Sequence, residues 1–336
     1  MDVKVQKNLL CLSREAAEFG PFDAILELEG EPDALWFYRE HVSRGVPCIW
    51  RGAVAHWPAA SKWSNDYLRE TVGSKEVSVA ITPNGYADAV REDLNRFVMP
   101  HDQLMPVSQL LDVIERKEDF PGICYLQRQN SNFMEDFAEL WKDTDLDIAW
   151  ASKAFGAQPD AVNLWIGDER AVTSMHKDHY ENLYCVVRGE KHFILLPPTD
   201  RPLIPHMKYA SARYQLDLAS REFSVVDEKD HGVIPWIPLD PQKPDLNRWP
   251  QYRHAHPLRC TLKAGDMLFL PSMWYHHVSQ SQGAIAVNYW YDMAFDMRYA
   301  YFQCMDAITD TVAEGNCCAV GDHDIEDEQE LSTGET

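Results

Sequence analysis

The stretch TSMHKDHYENLYCVVRGEKHF, residues 173–193, decides how this chain is read. Residues two apart on a strand share a face. His176 and Asp178 therefore point the same way, with Tyr180, Asn182 and Tyr184 following if the strand continues. An imidazole and a carboxylate at that spacing can take two adjacent positions around one metal ion. RGE at 188–190 separates two apolar runs and predicts a tight hairpin. Across it, Lys191 opens an otherwise apolar strand. A lysine directed into a barrel needs an anion, because an unpaired buried charge is costly; a lysine exposed at a strand end is the plainer alternative. A third ligand has to come from elsewhere, and FLPSMWYHHVSQ, 269–280, offers His276 or His277. Neighbouring strand residues face opposite sides, so one of the pair is expected to reach the metal. Two imidazoles and one carboxylate make the facial triad of non-haem Fe(II) oxygenases, which leaves positions open for a chelating 2-oxo acid and dioxygen. A structural zinc site would instead be closed by four ligands. An HxD triplet or a His–His pair alone is a common coincidence; both on strand-like runs of one barrel carry more.

Working outward, runs of the same kind recur. ICYLQ (123–127), NLWIG (163–167), NLYCVV (182–187), HFILLP (192–197), MLFLP (267–271) and AIAVNYWY (284–291) are short, apolar and bounded by Gly, Pro or Asp. Many short strands with turn signals predict a mainly-β sandwich or barrel from Gly122 onward. Upstream, roughly the first 70 residues read as helical. Glu31–Val42 carries Leu35, Trp36, Tyr38 and Val42 on an apolar stripe, Ser64 is placed to cap a helix through Val72, and GVPCIWRG (45–52) between them reads as a strand. Further helices are expected over Ser108–Lys117, Met134–Lys142 and Phe295–Ala313. The last has Tyr299, Phe302, Met305, Ala307 and Ile308 on one side, which is wide for a lone terminal helix, so it packs on the barrel or on a second subunit.

Composition narrows the function classes. The 336 residues include 31 basic and 53 acidic ones, a net charge of −22, within an ordinary globular balance of apolar and charged residues. Such an excess of acid argues against direct nucleic-acid binding, which needs Lys and Arg to neutralise phosphates. It suits a basic polypeptide. No apolar run reaches the ~18–20 residues of a membrane span. Met1–Arg14 lacks the pattern of a secretory signal, so a cytoplasmic or nuclear location without membrane attachment is expected. The eight cysteines are scattered among apolar residues, as reduced thiols are, and Cys48 reads as buried. Gly321–Thr336 holds seven acids and no Lys or Arg, the composition of a disordered acidic tail.

These motifs carry a resemblance. YLQ (125–127), TSMHKDHYEN (173–182), GEKHFILLPP (189–198), AGDMLFLPSMWYHH (264–277) and VNYWY (287–291) stand in the order found in the JmjC oxygenases, which the chain resembles over most of residues 35–300. ITPNGYADAV (81–90) and IPWIPLDP (234–241) add to it. The resemblance implies a double-stranded β-helix, a jelly-roll, cupin-like barrel, with helices at both ends. It implies Fe(II) held by His176, Asp178 and His276, the first histidine of the pair. It implies Lys191 and Thr173 on the distal carboxylate of 2-oxoglutarate, Tyr125, Asn182 and Asn288 around that co-substrate, and Trp290 lining the pocket, with dioxygen (O2) as second co-substrate. The implied division is 1–120 as an N-terminal extension packed on the barrel, 121–294 as catalytic core, 295–318 as a helical dimerisation segment and 319–336 as tail. The implied activity is lysyl C-3 hydroxylation of developmentally regulated GTP-binding proteins by a homodimer. The alternatives are a peptidase or demethylase of methylated histone tails and a non-catalytic cupin-like binding module. No HExxH and no Ser–His–Asp or Cys–His pattern supports a peptidase. A substrate lysine would need a carboxylate near the metal, and Asp88, Glu181 and Asp240 are the candidates.

Overall fold

The computed structural model describes residues 3–20, 24–230 and 232–315, so the acidic tail lies outside the described residues. From Val172 onward the chain keeps changing sheets. Val172–His176, Glu190–Leu196, Leu258–Lys263 and Tyr275–Gln280 belong to a five-stranded minor sheet; Tyr180–Arg188, Met267–Leu270 and Ala284–Asp292 belong to a nine-stranded major sheet. This alternation winds the two sheets into one flattened barrel, the mainly-β cupin-like fold expected. Helices Val3–Phe19 and Met297–Gly315 stand at the two ends of the chain.

After Asn182 the NLYCVV run has no charged residue because its strand is covered on both faces. Leu183, Cys185 and Val187 face outward into a core shared with Phe37, Trp57, Trp63 and Leu110 from the N-terminal region. Tyr184 and Val186 face into the barrel with Trp165, Phe193, Leu195 and Val278. Each large apolar side chain buried in these layers contributes ~1.5–3 kcal/mol relative to exposure.

Several local expectations hold. The Ser64 side chain accepts from the Tyr67 amide and caps helix Asn65–Val72. The 108–117 helix is Val107–Ile114, and the 134–142 segment is a short helix, Asn132–Asp136, followed by a 3-10 turn, Ala138–Asp143. Three expectations need correction. RGE does not close a hairpin: Tyr180–Arg188 and Glu190–Leu196 lie in different sheets, and Gly189 carries the chain over the barrel edge at φ +73°. The strand bearing His176 stops there, and Asp178 sits in the crossing to the other sheet. In the 31–42 segment Leu35, Trp36 and Tyr38 are exposed while Ala34, Phe37, His41 and Val42 are buried. The cause is a π turn over Tyr38–Val42, where the Ser43 amide donates to the Tyr38 carbonyl and shifts the buried face.

Strands Glu76–Thr82 and His101–Pro106, in a stretch for which no element was expected, extend the major sheet beyond Ile123–Leu126; Leu26–Leu28, inside the stretch read as helical, is a strand that pairs with Cys48–Trp50 at that sheet's other edge. Cys48 is fully buried, and the six cysteines among the described residues are free. A third sheet, built from Ala89–Arg91, Arg96–Met99, Met207–Asp217, Glu222–Asp227 and Val233–Trp236, borders the barrel. Its Trp236 ring lies parallel to the His176 ring with centroids 6.2 Å apart. No helix among the described residues is long and apolar enough to cross a membrane.

Candidate active site

His176, Asp178 and His276 meet where the two sheets open: one ligand atom from each lies within 4.8 Å of the others. Asp178 Oδ2 is 3.6 Å from Nε2 of both histidines. Pairing of Val172–His176 with Tyr275–Gln280 sets His176 opposite His276, and a bulge between Thr173 and His176 puts three residues against two. The bulge explains why Thr173 and His176, an odd number apart, line the same cavity. Each ring is oriented from behind. His176 Nδ1 lies 2.8 Å from the Ser174 carbonyl and His276 Nδ1 lies 3.1 Å from the Trp274 carbonyl. A carbonyl only accepts, so Nδ1 carries a proton, which leaves Nε2 as the ligand atom turned to the cluster. Burial, then the charge of His176, push His276 down to about 4, so its imidazole is neutral near pH 7. Burial works against the Asp178 anion, but the charges of His176 and His276 hold its carboxyl below the ordinary range. His277 faces the other way, buried, with Nε2 3.9 Å from Asp240 Oδ1.

Deeper in the barrel, Lys191 is 1% exposed. Its ammonium donates to the Tyr125 hydroxyl at 3.0 Å and to the Gln280 amide oxygen, and faces the rings of Tyr125 and Tyr184. None of these is an anion, and burial pushes its pKa down to about 7. Asn182 and Asn288 join through Asn288 Nδ2 and Asn182 Oδ1 at 3.0 Å, and Trp165 Nε1 donates to Asn288 Oδ1 at 2.7 Å. Trp290 stacks on Tyr180 at 4.8 Å, and its indole N–H has no acceptor among the described residues. Tyr125, Thr173, Asn182, Asn288 and Trp290 all line the triad's cavity.

This donor set fits a metal and an anionic chelator. Two imidazoles and a carboxylate would hold a metal ion and leave it positions for a chelating ligand. The uncompensated Lys191 charge and the orphan Trp290 N–H are what a bound carboxylate compound would satisfy. Tyr184 was placed on the ligands' face in the sequence; Gln280 was not singled out. Gln280 stands at even spacing from His276 and so was legible as a neighbour on that face.

The three acidic candidates separate. Glu181 lies on the outward face of its strand with Leu183, accepts from the Ser272 amide at 3.1 Å and hydroxyl at 2.9 Å, and has its carboxyl raised by burial. Asp240 is on the outer side of the minor sheet, near the Tyr86 hydroxyl and His277. Asp88 borders the triad: its carbonyl accepts from Ser174 Oγ at 2.7 Å, and burial followed by Asp102 pushes its carboxyl up to about 6.

One serine–histidine–aspartate cluster does form, at Ser13, His256 and Asp200. Ser13 Oγ donates to Asp200 Oδ1 at 2.5 Å, and both approach the same ring atom, His256 Nδ1, at 3.4 and 3.2 Å. A serine nucleophile needs base and carboxylate on opposite ring nitrogens, so this is a structural cluster.

Comparison with known proteins agrees with the geometry. The cupin-like domain family matches residues 34–297. The human bifunctional peptidase and (3S)-lysyl hydroxylase JMJD7 is 55% identical, over 85% of this chain and 90% of that protein. HKDHYENLYCVV and IPWIPLDP carry the resemblance to that same protein, jumonji domain-containing protein 7. Lysine-specific demethylase JMJ32 of Arabidopsis thaliana is 41% identical over 90% of this chain and 91% of its own length. JmjC domain-containing protein E of Dictyostelium discoideum is 35% identical, with 89% and 92% covered. With a match that spans both sheets and every member of the triad, this chain belongs to the JmjC enzymes of the cupin-like domain family.

Proposed function

We propose that the protein is an Fe(II)- and 2-oxoglutarate-dependent protein hydroxylase that oxidises C-3 of a lysine in developmentally regulated GTP-binding proteins. The observation that carries this reading is the His176–Asp178–His276 cluster with the uncompensated Lys191 ammonium behind it. Likeness to a human protein named as a (3S)-lysyl hydroxylase supports the choice of lysine. The acidic chain suits a basic substrate segment.

Fe(II) with 2-oxoglutarate and O2 supplies oxidation of an unactivated C–H bond, the co-substrate leaving as succinate and CO2. The chain's own residues do the rest. His176, Asp178 and His276 hold the metal from one side; the Ser174 and Trp274 carbonyls keep the two rings turned towards it. Lys191, aided by Tyr125 and Thr173, takes the distal carboxylate of 2-oxoglutarate. Asn182, Asn288 and Trp290 shape the pocket around it, and the surrounding aromatic side chains keep water out.

The test is intact-mass spectrometry of a developmentally regulated GTP-binding protein incubated with enzyme, Fe(II), 2-oxoglutarate and O2. A gain of one oxygen on a lysine, absent with His176→Ala, is expected. An unmodified protein would remove the substrate assignment, formaldehyde release would turn the reading to demethylation, and backbone cleavage would turn it to a peptidase. We further infer a cytosolic or nuclear homodimer associating through the C-terminal helical segment.

A further inference from the structure

A second cavity adjoins the triad's at Gln129. Gln129 lines both, and the second, about 440 Å³, is bordered also by Asp88, Met99, Asp102, Arg128 and Arg213. Its charges are mostly satisfied. Arg213 donates to Asp102 Oδ2 at 2.7 Å and Glu228 Oε1 at 3.0 Å. Arg128 pairs with Glu135 at 3.0 Å and Asp136 at 3.1 Å. The exception is Asp88. Its side chain is half-buried, yet no described residue gives its carboxylate a hydrogen bond or an ion pair.

Asp88 is also tied to the metal site by its backbone. Ser174 Oγ donates to the Asp88 carbonyl, while the Ser174 carbonyl orients His176. Tyr86–Ala87 pairs with Val172–Thr173, which places Asp88 at the end of the triad's own sheet. An enzyme oxidising C-3 of lysine must hold an ammonium four bonds beyond the reacting carbon. Its counter-charge therefore belongs beside the metal and not on it. Glu181 and Asp240 are on outward faces and already partnered, Glu181 by Ser272 and Asp240 by the Gln242 amide at 2.8 Å; Asp178 is a member of the triad.

Resting on the lysyl hydroxylase reading, we propose that Asp88 determines substrate specificity: the lysine side chain enters past Gln129 and its ε-ammonium pairs with the Asp88 carboxylate. Arg213 is kept from competing by Asp102 and Glu228.

The test uses two synthetic peptides spanning the lysine that gains oxygen, one with lysine and one with norleucine in its place. Their affinities are measured by competition on the full chain loaded with Fe(II) and 2-oxoglutarate. Wild type is expected to prefer lysine by about 10-fold or more, as a charge-assisted contact allows. Asp88→Asn is expected to bind both peptides alike, raising KM for the lysine peptide more than it lowers kcat, and Asp88→Glu is expected to restore part of the preference. Asparagine tolerates the left-handed backbone at this position, φ +53°, and an unaltered affinity for 2-oxoglutarate reports an intact site. A lysine preference retained by Asp88→Asn would overturn the proposal. Failure of the wild-type enzyme to oxidise any lysine would instead overturn the hydroxylase reading on which it rests, and that is seen without any Asp88 variant.

Discussion

At Lys191, burial and charge conflict in a way that can be measured. Its pKa is held at about 7, against 10.5 for the ordinary side chain. Between those two values the unfolded chain binds a proton that the folded chain does not, so stability without co-substrate rises with pH across that window. Lys191→Met should remove this rise. The difference between wild-type and variant melting temperatures between pH 7 and 10.5 is the measurement, with the variant equal or more stable at the acidic end. The same substitution should weaken 2-oxoglutarate by about 10-fold or more, since it removes a buried charged donor. A dianionic ligand would also stabilise the protonated lysine, so wild-type affinity should fall as pH climbs above about 7. Much of this residue's setting was legible: an isolated cation opening an apolar strand implies an anion. The choice between His276 and His277 was not, because two-residue periodicity says that one faces in without saying which. Thr173 was hidden for a related reason. Strict alternation sends it away from His176, and only the bulge between them brings it back.

At the scale of elements, the turn at Gly189 separates what sequence signals carry from what they omit. Apolar runs on both sides of RGE were recognisable as strands, and turn residues mark a tight reversal. Nothing local says whether the second strand returns beside the first or crosses to the facing sheet. That depends on where the distant strands Leu258–Lys263 and Tyr275–Gln280 lie, since these are the partners of Glu190–Leu196. Gly189 has φ +73°, and a Cβ there would come 2.6 Å from Ser281 Oγ and 3.1 Å from the Ala284 Cα. Gly189→Ala should therefore cost roughly 1–3 kcal/mol in urea unfolding. Because Lys191 follows two residues later, affinity for 2-oxoglutarate should fall with it. Unchanged stability would show that the edge crossing is more plastic than its contacts indicate. The 31–42 segment makes the same point for helices: a sequence stripe assumes a regular turn, and a single π turn shifted the buried face to Phe37 and His41.

For the whole molecule, the question is what the C-terminal helix is for. Its sequence stripe resolves into two faces. Tyr299, Phe302, Met305 and Thr309 turn toward the barrel, where Phe302 packs with Met273 and Met293, and the guanidinium of buried Arg201 reaches Asp306 and Asp310. Met297, Tyr301, Cys304 and Ile308 turn away, and Met297, Tyr301 and Ile308 are 67%, 69% and 41% exposed. Their spacing of four, three and four residues is that of a helix seam meeting a second helix. A lone helix end would gain nothing from such a stripe, whereas a symmetric pair would bury it on both copies. The barrel face already anchors the helix, so the outer stripe can be altered without undoing the fold. The double substitution Tyr301→Asp and Ile308→Asp should leave the melting temperature within a few degrees and convert a dimer to a monomer in light scattering. A monomeric wild type would remove the dimer inference, and a variant that stays dimeric would move the interface elsewhere. Oxidation of the lysine peptide by the monomeric variant separates assembly from catalysis. The triad, Lys191 and Asp88 all come from one chain, so turnover is expected to survive dissociation.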